Sequence, residues 1–510
     1  MTRSGGLICG LMIVVLAGPL SMARAQPTEG LSAVAALEQT ITQVIEQAEP
    51  SVVSIARIQH NRADRLFSGD LRGQDERGPR DLLPNQFGSG IIVAPPQSER
   101  RFVLTAYHVV RGGATVNRRG RGEESELRVW LPSQHELSAA IYAADPRCDL
   151  AVLKLDERSG KLKPGQLRPI SWSTAAPVHK GQLVITLGNP YWIARDGSPS
   201  ASWGIVSNLV RRPAVLTNPQ TGSATLLNIG TAMQIEQRLP IGASGGPVIN
   251  LRGELVGVAS SLAALDGYER SGGFAFPIDP RTRWIVETLL AGREVEYGFL
   301  GLRPERIVLR DDLAERLGQM TAAEVHDLRS GSPAQLAGLR NQDVIVAIDG
   351  QPIRSDIDLM REATLHPPET VIQVTVYRGE TELTLKVKLG KWPVQDEEGI
   401  IAAERRHPVW RGLAVDYATG RERYFRSLLE VPAAVVVTEV APDSPAQEAR
   451  LQPGDFITHV NGKPVRTPAE FAEAVKAVKS GDVSLRLRPL DRPADEGGRI
   501  LVIKDKSAAP

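Results

Sequence analysis

At 510 residues the chain is long enough for about three domains, and a hydrophobic content of 42% allows each of them a buried core. Its 60 basic and 59 acidic residues nearly cancel, so the charge balance does not draw the chain to nucleic acid. The eight histidines show no HExxH spacing and the two cysteines no CxxC, so no metal site is indicated and no cofactor is expected.

In chain order, residues 1–25 read as a signal peptide. Arg3 precedes an apolar stretch from Leu7 to Leu20, and Ala23-Arg24-Ala25 supplies the small-x-small pattern of a cleavage site, placing the cut after Ala25. That stretch falls short of the roughly 20 apolar residues needed to cross a bilayer, so no stable membrane span is expected. The mature chain is therefore exported, periplasmic or otherwise extracytoplasmic. Cleavage removes Arg3 and Arg24 and no acid, leaving a formal charge of −1. It also removes Cys9, so Cys148 cannot form an internal disulfide and reads as a small buried residue beside Asp149.

Within the N-terminal segment 26–50, Val34, Leu37, Ile41, Val44 and Ile45 recur at helical spacing and Pro50 stops the pattern, which predicts a short amphipathic helix over Leu31–Ala48. Ser51–Ile58 reads as a strand. Residues 60–87 are polar, rich in Arg, Asp and Gly and without period, which predicts a long mobile loop. From Phe87 to about Ile285, short β-branched runs such as Ile91–Val93, Phe102–Thr105, Leu127–Leu131, Leu183–Leu187 and Leu255–Ala259 are broken by Gly, Pro and Asn, the pattern of a pair of β-barrels.

The last third contains a repeat. Ser332-Pro333-Ala334-Gln335, Ala337, Leu339, Asp343, Ile345, Gly350 and Pro352 recur at a constant offset of 112 as Ser444-Pro445-Ala446-Gln447, Ala449, Leu451, Asp455, Ile457, Gly462 and Pro464. One offset held over so many positions means two copies of one domain. Residues 393–407, with Glu397-Glu398 and Arg405-Arg406, read as a polar linker between them.

Three short phrases carry chemistry: Thr105-Ala106-Tyr107-His108, Cys148-Asp149-Leu150-Ala151-Val152 and Gly242-Ala243-Ser244-Gly245-Gly246-Pro247. A serine hydroxyl is a weak nucleophile at neutral pH. It needs an imidazole to take its proton and a carboxylate to hold the imidazole's tautomer and charge. His108, Asp149 and Ser244 supply these groups, and the order His, Asp, Ser is that of the chymotrypsin type of double barrel. Asp145 is a competing acid, but before Pro146 it reads as a turn residue.

These phrases resemble the HtrA (Deg) family of envelope serine proteases. Also matching are Phe87-Gly88-Ser89-Gly90-Ile91-Ile92, Asp149 through Leu155, Gly204-Ile205-Val206-Ser207, Gly253-Glu254-Leu255-Val256-Gly257 and Gly273-Phe274-Ala275-Phe276-Pro277-Ile278. The resemblance implies a multi-domain, mainly β protein: a chymotrypsin-like double β-barrel at 51–292 followed by two α+β PDZ domains at 296–392 and 408–504. It also implies that His108 is general base and then general acid, that Asp149 is its partner, and that Ser244 forms the acyl-enzyme. Backbone N–H groups of Gly242 and Ser244 would form the oxyanion hole, and Arg238, Leu239 and Ala259 are candidates for the substrate pocket. Ala243 stands where the family usually has Asn, and Tyr107 replaces a smaller or amide residue.

For the first PDZ copy the resemblance assigns Gly298, Phe299, Leu300 and Gly301 to the peptide-binding loop. For the second it assigns Gly412 and Leu413, with Ala414 in the place of the second glycine. The expected partners are unfolded proteins and peptide C-terminal tails, and the expected assembly is a homo-oligomer, trimeric by resemblance. The expected activity is ATP-independent cleavage of unfolded or damaged envelope proteins, since no GxxxxGK[ST] loop is present. A binding protein of the chaperone or PDZ-scaffold class with a conditionally inactive site is the alternative.

Overall fold

The computed structural model describes residues 29–58, 86–116, 125–159, 162–163, 165–172, 177–189, 198–211, 232–240, 242–260, 273–395, 397–425, 430–478, 480–488 and 498–505. The signal peptide and nearly all of the expected 60–87 loop lie outside these residues. The N-terminal helix runs Glu29–Ala48, two residues longer at its start than its apolar period predicts. Among the described residues no helix is long and apolar enough to cross a membrane.

Six strands form the first barrel: β1 Val52–Ile58, β2 Gln86–Val93, β3 Phe102–Ala106, β4 Glu126–Trp130, β5 Glu136–Asp145 and β6 Leu150–Asp156. They pair in the order β5-β4-β1-β2-β3-β6 and close through β5 and β6. Inward positions are β-branched or leucine, and Ile55, Ile92, Leu127, Leu137 and Ile141 are fully buried. Each such side chain contributes about 1.5–3 kcal/mol through the apolar surface it withdraws from water.

The second barrel follows with β7 Ser171–Trp172, β8 Leu183–Gly188, β9 Ser200–Arg211, β10 Ala232–Ile235, β11 Pro247–Asn250, β12 Glu254–Ser260 and β13 Gly273–Pro277. Here β11-β8-β9-β10-β13-β12 closes through β11 and β12, with β7 added in parallel to β12. The helix Arg283–Leu290 then leads the chain toward the repeats.

Each repeat folds as an antiparallel sheet with short helices. In the first, Arg303–Val308, Thr321–His326, Val344–Ile348, Val371–Arg378 and Thr381–Lys388 form the sheet. In the second, Leu413–Tyr417, Val435–Val440, Phe456–Val460, Val483–Arg488 and Ile500–Ile503 do so. The repeated Ser-Pro phrase has a local cause. Ser332 and Ser444 cap the helical turns Pro333–Leu336 and Pro445–Glu448 by accepting from the Gln335 and Gln447 N–H, and proline fits the first helical position.

Two features differ from the sequence reading. Part of the polar linker is a strand: Ile401–Ala402 pairs antiparallel with Ala144 and Ala143 of β5, covering the half of β5 that β4 does not reach. An apolar pair within the charged segment allows this, and an uncovered edge would otherwise leave backbone groups unpaired. The second feature is a buried ion cluster in which the segment that follows the barrels meets residues of both repeats. Lys391 Nζ lies 3.1 Å from both Glu294 Oε1 and Glu296 Oε1 and 2.9 Å from Asp416 Oδ2. Arg421 pairs with Glu294 at 2.7 Å and Arg406 with Glu296 at 2.8 Å. Burial alone would push the Glu296 carboxyl up, but Lys391, His407 and Arg406 outweigh it and hold it at about 2.

Candidate active site

Strand β3 ends in the helical turn Tyr107–Val110, which carries His108, and the turn between β5 and β6 carries Asp149. The two segments are stitched together by backbone and side chain. Tyr107 N–H donates to the Asp149 carbonyl at 2.9 Å, and His108 N–H donates to Asp149 Oδ1 at 3.0 Å. The ring Nδ1 of His108 lies 2.8 Å from Asp149 Oδ2. Ser260 Oγ, at the end of β12, donates to the same oxygen at 3.1 Å. Asp149 is 5% exposed, so its carboxylate meets these donors away from bulk water. Its backbone lies in the left-handed region, with φ 56°, a conformation that aspartate tolerates better than most residues.

Ser244 sits in the turn before β11. Its carbonyl accepts from Ser89 N–H at 2.8 Å, while Ser89 Oγ donates to the Gly242 carbonyl at 2.7 Å. Gly245 N–H donates to the Ala259 carbonyl at 2.8 Å. Gly245 has φ 83°, and a methyl group there would lie 2.2 Å from Ser89 O and Thr105 Oγ1 and 3.0 Å from Ala106 N. Only glycine allows the Ser244 turn to press this closely on the strand that delivers His108. The N–H of Gly242 has no acceptor among the described residues. A backbone donor in this position beside Ser244 suits a developing oxyanion.

Of the pocket candidates, Leu239 and Ala259 are buried and Arg238 is exposed. Gln237, which the sequence reading did not single out, is buried beside them. It accepts from Thr186 Oγ1 at 2.9 Å, and its buried Nε2 has no partner among the described residues. Asp145 is more than a turn residue. It is fully buried, accepts from Arg147 Nε and Nη2 at 2.9 Å each, and accepts from Tyr297 Oη at 2.9 Å. Tyr297, the residue just before the first PDZ loop, is thus anchored in the protease part. Cys148 is buried, and burial together with Asp145 pushes its thiol well above the usual range.

In the first PDZ loop, Gly298 N–H donates to the His366 carbonyl at 2.8 Å. Phe299 meets Trp392 and Phe425 edge to face at 6.0 and 5.9 Å. Leu300 is buried, and its carbonyl accepts from Ala334 N–H at 2.9 Å. Gly301, with φ 82°, lies against Ser332. The second copy reproduces this geometry at Gly412, with φ 83° against Ser444, while Leu413 is fully buried. The Ala446 N–H bonds to the Arg411 carbonyl as Ala334 does to Leu300. Gly412 therefore takes the place of Gly301, and Ala414 lies one step into the following strand rather than at the second glycine. In this register Val409, Trp410 and Arg411 stand in place of Gly298, Phe299 and Leu300.

Residues 88–258 match the family description "Trypsin-like peptidase domain", and residues 298–389 and 436–489 each match "PDZ domain". Fold and matches define a trypsin-like serine peptidase carrying two PDZ domains. A "Probable periplasmic serine endoprotease DegP-like" of Ectopseudomonas mendocina (strain ymp) is 30% identical over 502 residues, 92% of this chain and 95% of that protein. Proteins of the same description from Pseudomonas fluorescens and Rhizobium meliloti are 29% identical over 497 residues (90% and 93% covered) and 28% over 450 residues (87% and 80% covered). Among solved structures, the HtrA-type protease AlgW with tripeptide is 23% identical with a TM-score of 0.47, over 70% of this chain and 98% of that one. The chain belongs to the HtrA/DegP-like family of periplasmic serine endoproteases.

Proposed function

We propose that this chain is an ATP-independent endopeptidase that cleaves unfolded or damaged envelope proteins through an acyl-enzyme on Ser244. The observation that carries this reading is the Asp149 carboxylate held 2.8 Å from His108 Nδ1, which leaves Nε2 as the nitrogen to take a proton. Ser244 Oγ attacks the scissile carbonyl and its proton passes to His108 Nε2. The tetrahedral intermediate places its oxyanion at the N–H groups of Gly242 and Ser244, each worth about 2.7–4 kcal/mol in comparable sites. Collapse breaks the C–N bond, and the amine leaves with the proton from His108. Water then enters by the same base catalysis and releases the acid product and Ser244.

Buried Leu239 and Ala259 favour an apolar side chain before the cleaved bond, with Arg238 at the solvent edge. The PDZ loops around Gly301 and Gly412 would hold substrate or regulatory C-terminal tails by strand addition, and a homotrimer is the proposed assembly. The test is casein digestion by wild type and Ser244→Ala, alongside labelling with a serine-directed fluorophosphonate. Wild type digests casein and is labelled, and Ser244→Ala does neither. Equal digestion by both proteins defeats the assignment, and labelling without digestion points to restricted substrate entry.

A further inference from the structure

We propose that the inter-PDZ segment 397–404 is a positioning element of the active site, with Gly399 acting on His108 through Tyr107. The proposal rests on the reading of His108 as the general base. Its starting point is the contact between Gly399 and Tyr107. A methyl group on Gly399 would lie 2.0 Å from Tyr107 Oη and 2.7 Å from Cζ, so the segment's backbone rests directly on the phenol. Gly399 has φ 82°, which a larger residue adopts only with strain. Tyr107 is 9% exposed, adjoins His108, and donates its N–H to the Asp149 carbonyl at 2.9 Å. A push on the phenol is therefore delivered to the short helical turn that sets the imidazole.

The same segment also braces the route to the acid. Ile401 and Ala402 pair with Ala144 and Ala143, next to the buried Asp145 that ends β5 before the turn to Asp149. Ala403 N–H donates to the Tyr142 carbonyl at 3.0 Å, and Glu404 N–H to the Gly292 carbonyl at 2.9 Å. At its other end the segment is tied to the second PDZ copy. Glu397 pairs with Arg423 at 3.1 Å, and Val394 exchanges backbone bonds with Gly420 and Glu422. This one segment thus touches the second PDZ, the residue beside the base and the strand before the acid. A displacement of that PDZ copy has a direct mechanical route to the catalytic histidine.

The test uses the full-length chain, a fluorogenic peptide substrate and the fluorophosphonate probe. Gly399→Val lowers kcat and the labelling rate about tenfold while KM stays within twofold. Tyr107→Ala alone lowers kcat severalfold, and the double variant matches Tyr107→Ala because the added valine then has nothing to strike. Far-UV circular dichroism and the thermal midpoint check that each variant is folded. Where Gly399→Val does not fold, Gly399→Ala enters the same cycle. A kcat within twofold of wild type for the Gly399 variant, a loss confined to KM, or additive losses in the double variant overturns the proposal. His108→Ala serves as the control: labelling that survives it removes the base assignment itself, a result distinct from a silent Gly399 variant.

Discussion

Ser260 Oγ donates to Asp149 Oδ2 at 3.1 Å, so a residue of the second barrel holds the carboxylate that the first barrel presents to His108. The carboxylate is thereby fixed across the barrel interface, because Ser260 holds the same oxygen that faces the His108 ring. Ser260→Ala removes one donor to a buried charge, a loss of about 1.5 kcal/mol or more. The expected outcome is a kcat reduced about tenfold with KM unchanged, read from steady-state peptide cleavage. An unchanged kcat would mean that the His108 contacts alone orient Asp149.

The Ser244 turn has no room at Gly245. Gly245→Ala combines a left-handed backbone with a methyl group 2.2 Å from Ser89 O and Thr105 Oγ1. Strain and overpacking together predict a destabilisation of about 2–5 kcal/mol. Urea unfolding reports the loss, and fluorophosphonate labelling disappears even in molecules that remain folded.

The ion cluster around Lys391 makes the stability depend on acid. The Glu296 carboxyl falls from its ordinary 4.5 to about 2 in the folded chain, so its contribution is full above pH 4.5 and is lost as pH falls from there toward 2. The thermal midpoint should be level from pH 7 to about 5 as far as this group is concerned, then decline, and Glu296→Gln should flatten part of that decline. Lys391→Met leaves three carboxylates facing one another and costs about 3–5 kcal/mol at neutral pH. A midpoint unmoved by Lys391→Met would mean that water replaces the ammonium group.

Cys148 adjoins the candidate acid but is sealed from solvent, and burial followed by Asp145 keeps its thiol protonated. The mature native protein should resist maleimide labelling at pH 7.5 and react at this one thiol once guanidinium unfolds it. Mass spectrometry of the native protein showing rapid modification would contradict the closed packing.

The double barrel, the paired domains and the candidate triad were legible because each rests on local chemistry. Alternating β-branched runs bounded by glycine read as strands, the constant offset from Ser332 to Ser444 reveals the copy, and nucleophilic catalysis admits few residue types. The remaining contacts involve ordinary residues whose partners lie far along the chain. Ser260 is 111 residues from Asp149, and Tyr297 is 152 residues from Asp145. Nothing in the local surroundings of Asp145-Pro146 distinguishes a turn from a buried anchor, and the error at Ala414 arose because one loop glycine, without its packing partner Ser444, does not set the register.

By itself the amino-acid order determined which groups could act as base, acid and nucleophile, and how many folded units carry them, because periodicity and motif spacing are properties of neighbouring residues. Tertiary structure alone decided that Ser260 steadies Asp149, that Lys391 draws three carboxylates into one buried cluster, and that Gly399 rests on Tyr107. Those choices follow from close packing and from the need of every buried polar group for a partner, conditions that exist only once distant segments have met.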